Sequence, residues 1–280
     1  MSACLACEGP LDRLGAKGDW VYAACRRCGA VQLDPPPRGA ELRALYERGY
    51  HHDGHYYRDA ARHQRERVSV IEQVGGHVLA RLPAGGRALE LGAGWGNLGL
   101  WLRDRGARYL GLEPSTVMRA RAVEAGLDVR DVELDALVGE RFDVIVSMAV
   151  FEHLPDPTET LRQMKSLLTD GGAIVIQAPT AGVPRLVGRL LGRLAPARPL
   201  PSVFGSLAPP WHVCLPTPRS VRAQAARVGL SVARIEPSRS GRIPGLKGIL
   251  QGVNEVVAQA GHRALGERWP LSMGHLFVLA

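Results

Sequence analysis

The stretch Ala88–Asn97, ALELGAGWGN, decides how this 280-residue chain folds. A short apolar run enters a cluster of glycines, and a helical pattern opens behind Asn97. Read outward, ALELGA is a buried strand, NLGLWLRDRG a helix ending at Gly106, RYLGLEP a second strand, and STVMRARAVEAG a second helix capped by Ser115. Strand and helix alternate, which predicts a parallel, doubly wound α/β sheet. Ligands of such sheets sit at the carboxyl ends of the strands, where Gly92–Gly96 and Glu113 fall.

The glycines fit two templates. Gly94, Gly96 and Gly99 spell G-x-G-x-x-G, the dinucleotide fingerprint, whereas Gly92, Gly94 and Gly96 spell G-x-G-x-G behind Glu90. Both nucleotide classes use an acidic residue about twenty positions later for ribose hydroxyls, and Glu113 serves for either. Glu90 separates them. A dinucleotide lays its pyrophosphate on the helix N-terminus, where a carboxylate would repel it. A cationic ligand such as S-adenosylmethionine, with its sulfonium and ammonium groups, would be welcomed.

Together, ELGAGWGN, GLEPS, FDVIVSMAVFEHLPDP and LTDGGAIVIQAP resemble the ordered motifs of class I S-adenosylmethionine-dependent methyltransferases. The resemblance is strong over residues 85–180. It continues through WHVCLPTPRSVRAQAARVGLSV, similar to the family's last helix and sixth strand, and ends at GHLFVLA, similar to its antiparallel seventh strand. It implies a Rossmann-like seven-stranded sheet, mostly parallel with an antiparallel last strand. It further implies that Gly92, Gly94 and Gly96 let the backbone approach the methionine moiety, with Glu90 near its amino end. Glu113, followed by Pro114 in the same cofactor-binding motif, would accept hydrogen bonds from both ribose hydroxyls. Asp131 would face the adenine amino group, Val132 would pack on the ring, and Ser147 and Met148 would line the cofactor on the substrate side.

Methyl transfer is an in-line displacement at an activated carbon, so the protein mainly supplies alignment and a dry site. A base is needed when the acceptor is a hydroxyl or a carbon acid. His153, in FEHLPDP just past the fourth strand of the pattern, is one candidate; local capping or packing is its bland alternative. His212, in PPWHVCLP, is a second, on a loop placed to close over the acceptor. Quinone-pathway members of the resembled family hold a divalent metal on a Glu-x-x-Glu-His pattern. Here Ala149 takes the first acidic position, which leaves Glu152 and His153 and puts that metal in doubt.

The front of the chain carries separate chemistry. Cys4 and Cys7, then Cys25 and Cys28, form two C-x-x-C pairs seventeen residues apart. That is the spacing of a zinc ribbon whose four thiolates close a structural, tetrahedral site. A disulfide framework is the competing reading, but MSACLACEGP shows no export signal, so reduced thiols and a cytoplasmic location are expected. Such a four-cysteine module ahead of LDPPP and a Tyr-rich helix also looks like a bacterial subset of the resembled enzymes. Cys214 stands apart and reads as an ordinary buried thiol. The organisation expected is a ribbon at 1–34, a proline-stiffened linker and helical cap at 35–84, and the methyltransferase domain at 85–280. Lid insertions fall at 181–216 and 240–270. His51, His52 and His55 read as a solvated or substrate-facing loop.

The net charge of +8 is uneven: residues 181–280 hold 13 Lys and Arg against 3 Asp and Glu, a balance of +10. An Arg- and Ala-rich composition accounts for part of it. Two helical stripes carry the rest of the reading. In one, Arg185, Arg189 and Arg193 recur opposite Leu186, Val187, Leu190, Leu191 and Leu194. In the other, Leu246, Ile249, Leu250, Val253, Val256, Val257 and Ala260 line up. Either both stripes pack on the sheet as lid helices, or they form a greasy acceptor pocket with a cationic rim, or they touch a membrane surface. The function expected is an S-adenosylmethionine-dependent methyltransferase acting on an O or C atom of a small molecule, apolar or anionic. The alternative is an RNA-modifying enzyme gripping RNA with the ribbon and the basic C-terminal third; 5% aromatic content and few bases in the ribbon speak against it.

Overall fold

The computed structural model describes residues 2–45, 60–194, 200, 206–241 and 244–280. The histidines at 51, 52 and 55 lie outside them, as do the side chains of Arg193 and Leu194. The expected α/β sheet is present with seven strands. In chain order they are β4 (Arg87–Leu91), β5 (Arg108–Leu112), β6 (Val129–Arg130), β7 (Phe142–Met148), β8 (Leu168–Pro179), β10 (Val232–Pro237) and β11 (Gly274–Leu279). Their spatial order is β10-β11-β8-β7-β4-β5-β6. The pairs β7/β8, β4/β7, β4/β5 and β5/β6 are parallel. β11 enters antiparallel to β8, from Gly274↔Pro179 to Leu279↔Ile174, and β10 pairs antiparallel outside it.

Both faces of the sheet are covered, which is why its strands read as nearly continuous apolar runs. On one face Leu89, Ile145, Ile174 and Phe277 pack with Leu161 and Met164 of α5 (Pro157–Ser166) and Val221 and Ala225 of α7 (Pro218–Arg227). On the other, Ala88, Val144, Val146 and Val175 pack with Val70, Val74 and Val78 of α2 (Ala60–Leu79) and Leu98 and Leu102 of α3 (Asn97–Arg103). The helix starts follow their caps. Ser115 accepts from Met118 N ahead of α4 (Thr116–Glu124), and Asp156 accepts from Glu159 N ahead of α5. Thr217 and Ser220 form a reciprocal capping box ahead of α7. The chain passes from β4 to β5 and β6 on one side, then crosses back to β7 on the other. The crevice between the ends of β4 and β7 is therefore the switch point where ligands bind in such sheets.

A second, four-stranded antiparallel sheet has the order β1-β2-β3-β9. Its first three strands are β1 (Leu11–Lys17), β2 (Trp20–Cys25) and β3 (Val31–Leu33) of the cysteine module. The fourth, β9 (Cys214–Leu215), comes from the insertion ahead of α7 and pairs Gln32↔Cys214 and Val31↔Leu215. A module of this length buries little apolar surface alone. Its core is shared: Leu14, Tyr22, Val31 and Leu33 pack with Ala181, Leu200, Leu207 and Leu215. Among the described residues, no helix is long and apolar enough to cross a membrane.

Candidate functional site

The glycine loop is hooked onto β5. Gly92 N and Ala93 N both donate to Leu112 O, each at 2.9 Å. Gly92, Gly94 and Gly96 have φ of 73°, 54° and 76°, the left-handed region that side chains avoid. A Cβ on Gly92 would stand 2.3 Å from Val150 Cγ2, and one on Gly96 would stand 2.5 Å from Leu127 Cδ1. The middle glycine is open, with Met118 Sδ 3.7 Å from where its Cβ would be. The first and third glycines thus fold the loop, and the middle one leaves a cradle. Gly99 belongs elsewhere: its Cβ would meet the Tyr109 ring at 2.6 Å, so it admits a neighbour inside the fold.

Two carboxylates flank the loop. Glu113 is 8% exposed; its Oε2 accepts from Gly94 N at 2.7 Å and its Oε1 from Ser115 N at 2.8 Å. Burial pushes its pKa up, against the pull of those two N–H groups. A carboxylate has about four acceptor positions, so both oxygens can take ligand hydroxyls as well. Glu90 is 1% exposed and accepts from the Tyr109 hydroxyl at 2.6 Å. Burial raises it to about 8 despite that bond. Tyr109 and Arg119, which pairs with Asp131 at 3.1 Å, carried no motif signal in the sequence. Pro114, Asp131 and Val132 are exposed beside the loop. Ser147 is fully buried with no partner for its hydroxyl, and Met148 is half-buried.

Past β7 the chain turns sharply. Ala149 sits at φ 57°, an uncommon conformation for a residue with a Cβ, and a 3-10 turn follows at Phe151–His153. That turn brings together the two histidines the sequence singles out. The His153 and His212 rings meet edge to face with centroids 4.9 Å apart. His212 Nδ1 lies 2.7 Å from Ser206 O, a carbonyl that can only accept; the neutral ring therefore carries its proton on Nδ1 and presents Nε2 as an acceptor. Burial and the nearby His212 hold His153 down to about 3, and burial lowers His212. Glu152, 3.9 Å from His153 Nε2, is buried with one oxygen unpartnered, and burial raises it to about 8. For all three side chains burial favours the uncharged form. Ligand atoms of Glu152, His153 and His212 lie within 4.8 Å of one another. Of the Glu-x-x-Glu-His pattern only Glu152 and His153 are present, and a distant loop brings His212 beside them as a third possible donor to a divalent cation.

The four cysteines converge. Cys4 and Cys28 sulfurs are 3.6 Å apart, Cys7 and Cys25 sulfurs 3.5 Å, and all four lie within 4.8 Å. A tetrahedral zinc site with bonds of about 2.3 Å would have edges of about 3.8 Å, so the cluster fits the ion. The hydrogen bond between Cys4 and Cys28 pulls Cys4 down to about 5 and pushes Cys28 up, and burial raises Cys7. Cys214 does not stand apart: it is buried in the same cluster.

Both amphipathic helices leave apolar residues of their stripes exposed. In α6 (Gly182–Leu194) the Arg185 side chain turns inward, its guanidinium where a Cβ on Gly29 would be, while Leu186 and Leu190 are exposed. Burial lowers its pKa there, with Arg189 and Arg219 adding to the effect and Cys28 and Cys25 opposing it. In α8 (Leu246–Leu265) Asn254, Glu255, Ala258 and Gln259 face the protein. Glu255 accepts from Ser240 N and from Gln259. The apolar stripe points outward, with Leu246 70%, Ile249 65% and Val256 68% exposed. It does not pack on the sheet.

Residues 54–235 match the Methyltransf_23 model, described as a methyltransferase domain. The chain is similar to a ubiquinone biosynthesis O-methyltransferase of Xanthomonas axonopodis pv. citri, at 36% identity over 43% of this chain and 56% of that protein. A second protein of that name, from Stutzerimonas stutzeri, is 31% identical over 32% of this chain and 43% of its own length. The chain thus spans about half the length of these curated relatives. Among solved structures it is similar to magnesium protoporphyrin IX methyltransferase from Synechocystis PCC 6803 with bound S-adenosylhomocysteine. The TM-score is 0.53 at 16% identity, over 85% of this chain and 97% of that one, a likeness of fold.

The buried Glu90 yields a pH test. Its folded constant, about 8, exceeds the usual 4.5, so its protonated form is favoured by folding. The stability it contributes is full below the unfolded value and lost as pH rises through about 8. Glu90→Gln is expected to flatten the fall of Tm between about pH 5 and pH 8 relative to the unaltered chain. Identical slopes in thermal melts would contradict this.

Proposed function

This chain belongs to the methyltransferase-domain family, and from that premise we propose that it moves the methyl group of S-adenosylmethionine to an oxygen or carbon of a small-molecule acceptor seated beside His153 and His212. S-adenosylmethionine, when bound, supplies a methyl carbon already activated by its sulfonium. The observation that carries the proposal is the juxtaposition across the switch point. A cradle of left-handed glycines held by Glu113 lies on one side, and a half-buried histidine pair lies on the other.

Gly92, Gly94 and Gly96 admit the methionine moiety, with Glu90 beneath its amino end. Glu113 accepts from the ribose hydroxyls, beside Pro114. Asp131 and Val132 flank the adenine, and Ser147 and Met148 line the wall toward the acceptor. His212 Nε2, with Nδ1–H fixed on Ser206 O, takes the acceptor proton, and His153 packs against it to exclude water. Cys4, Cys7, Cys25 and Cys28 hold a structural zinc ion. The names of the curated relatives support a small-molecule acceptor. RNA is disfavoured: Arg185 is turned inward, and Arg119 and Arg222 are engaged by Asp131 and Glu267, which leaves fewer cations facing outward.

Glu113→Ala is expected to weaken S-adenosylhomocysteine binding by about one to two decades, since hydrogen bonds to a charged acceptor contribute roughly 1.5–3 kcal/mol. Unchanged affinity in calorimetry would remove Glu113 from the site. His212→Ala is expected to lower turnover about 10²–10⁴-fold with cofactor affinity kept. Full turnover in that variant would end the proton-transfer role.

A second reading rests on α8. Its outward apolar stripe lies in a segment, 239–268, with five Lys and Arg against two Asp and Glu. Like charge disfavours pairing with a second copy, and the combination fits an anionic lipid surface. The protein is expected to co-sediment with phosphatidylglycerol vesicles and not with phosphatidylcholine ones, and Ile249→Glu with Val253→Glu to abolish binding. A concentration-dependent dimer broken by the same variants, with no vesicle binding, would contradict it.

A further inference from the structure

One backbone path runs from the cysteine module to the histidine pocket. Gln32, fully buried in β3, accepts from Leu5 N through Oε1 at 2.8 Å and donates from Nε2 to Ala3 O at 3.3 Å, which ties the Cys4–Cys7 loop to the strand. Leu33 N, one residue on, donates to Val213 O at 2.9 Å, and Val213 N donates to Glu152 O at 2.8 Å. Val213 therefore joins the last strand of the module to the turn that carries His153, and its neighbour in the chain is His212. On its other side, Cys214 pairs with Gln32 and buries its thiol among the four cysteines. Thr217 Oγ1 adds a bond to Cys28 O at 2.7 Å. The glycine loop is anchored elsewhere, on Leu112 O and Glu113.

We propose that the four-cysteine module is a positioning element of the acceptor pocket: through Gln32, Leu33 and Val213 it sets His212 against His153 and Glu152, so that metal loading of the cysteines governs the pocket and leaves the cofactor cradle alone. The physical basis is direction. A strand pair fixes the register of β9 to within a residue, and a slip would turn every side chain of the segment to the other face. Two residues of pairing specify little alone, so the order of β9 depends on the order of β3. The four thiolates and their ion hold the loops that flank β3. The proposal rests on reading His153 and His212 as the acceptor side.

The test is peptide-resolved hydrogen exchange on the full chain, before and after removal of metal by a chelator, with S-adenosylhomocysteine affinity measured by calorimetry in parallel. Exchange in 206–217 and 150–154 is expected to rise about tenfold or more, while 87–115 stays within about twofold and affinity within about threefold. Gln32→Leu supplies a variant with all cysteines intact. It is expected to keep one zinc per chain and still loosen 211–215. The proposal is overturned if fresh protein holds no metal, if 211–215 keeps its protection when the module opens, or if 87–115 opens equally. The last result would make the module a staple of the whole fold. Failure of the proton-transfer role is separately visible: His212→Ala with full turnover would sink that reading and leave the exchange pattern standing.

Discussion

Glu113 leaves β5 buried, takes an N–H from Gly94 on one oxygen and one from Ser115 on the other, and so ties the glycine loop to the cap of α4. The neighbouring Leu112 carbonyl receives Gly92 and Ala93. These four bonds hold a loop whose left-handed glycines would otherwise be the most entropically costly part of the chain to order. The same carboxylate that is positioned for a cofactor also shapes the cradle for it. The rest of the site follows from where that loop lies, since the crevice opens between β4 and β7 and the turn after β7 carries Glu152 and His153.

The sheet was legible because its information is local. Apolar runs of strand length alternate with helices, and Ser115 caps α4 as expected. The glycines of the two templates differ in conformation. The three glycines behind Glu90 are the left-handed ones, and Gly99 is a packing position. What escaped the sequence is long-range. Nothing near Cys214 announces that it completes the sheet of the cysteine module, and nothing near His212 says that it meets His153. Tyr109 looks like an ordinary strand residue until Glu90 is found beneath it.

The helix stripes show a different limit. Periodicity established that α8 has an apolar face and could not say which way it points. The usual inference that such a face turns inward fails because its polar side has something specific to hold: Glu255 takes Ser240 N, and Ala258 lets the helix close in. In α6 Arg185 turns inward beside the cysteine cluster although burial and the neighbouring Arg189 and Arg219 oppose its charge, and Cys28 and Cys25 counter them only in part.

The central claim is that the glycine loop holds a methyl donor. It is tested most directly by calorimetric titration of the full chain with S-adenosylmethionine, S-adenosylhomocysteine and the oxidised and reduced nicotinamide dinucleotides. Binding of the first two, with no heat from the dinucleotides, is the result expected from a cradle bounded by Glu90 and Glu113. Binding of a nicotinamide dinucleotide with no response to the adenosyl compounds would contradict it.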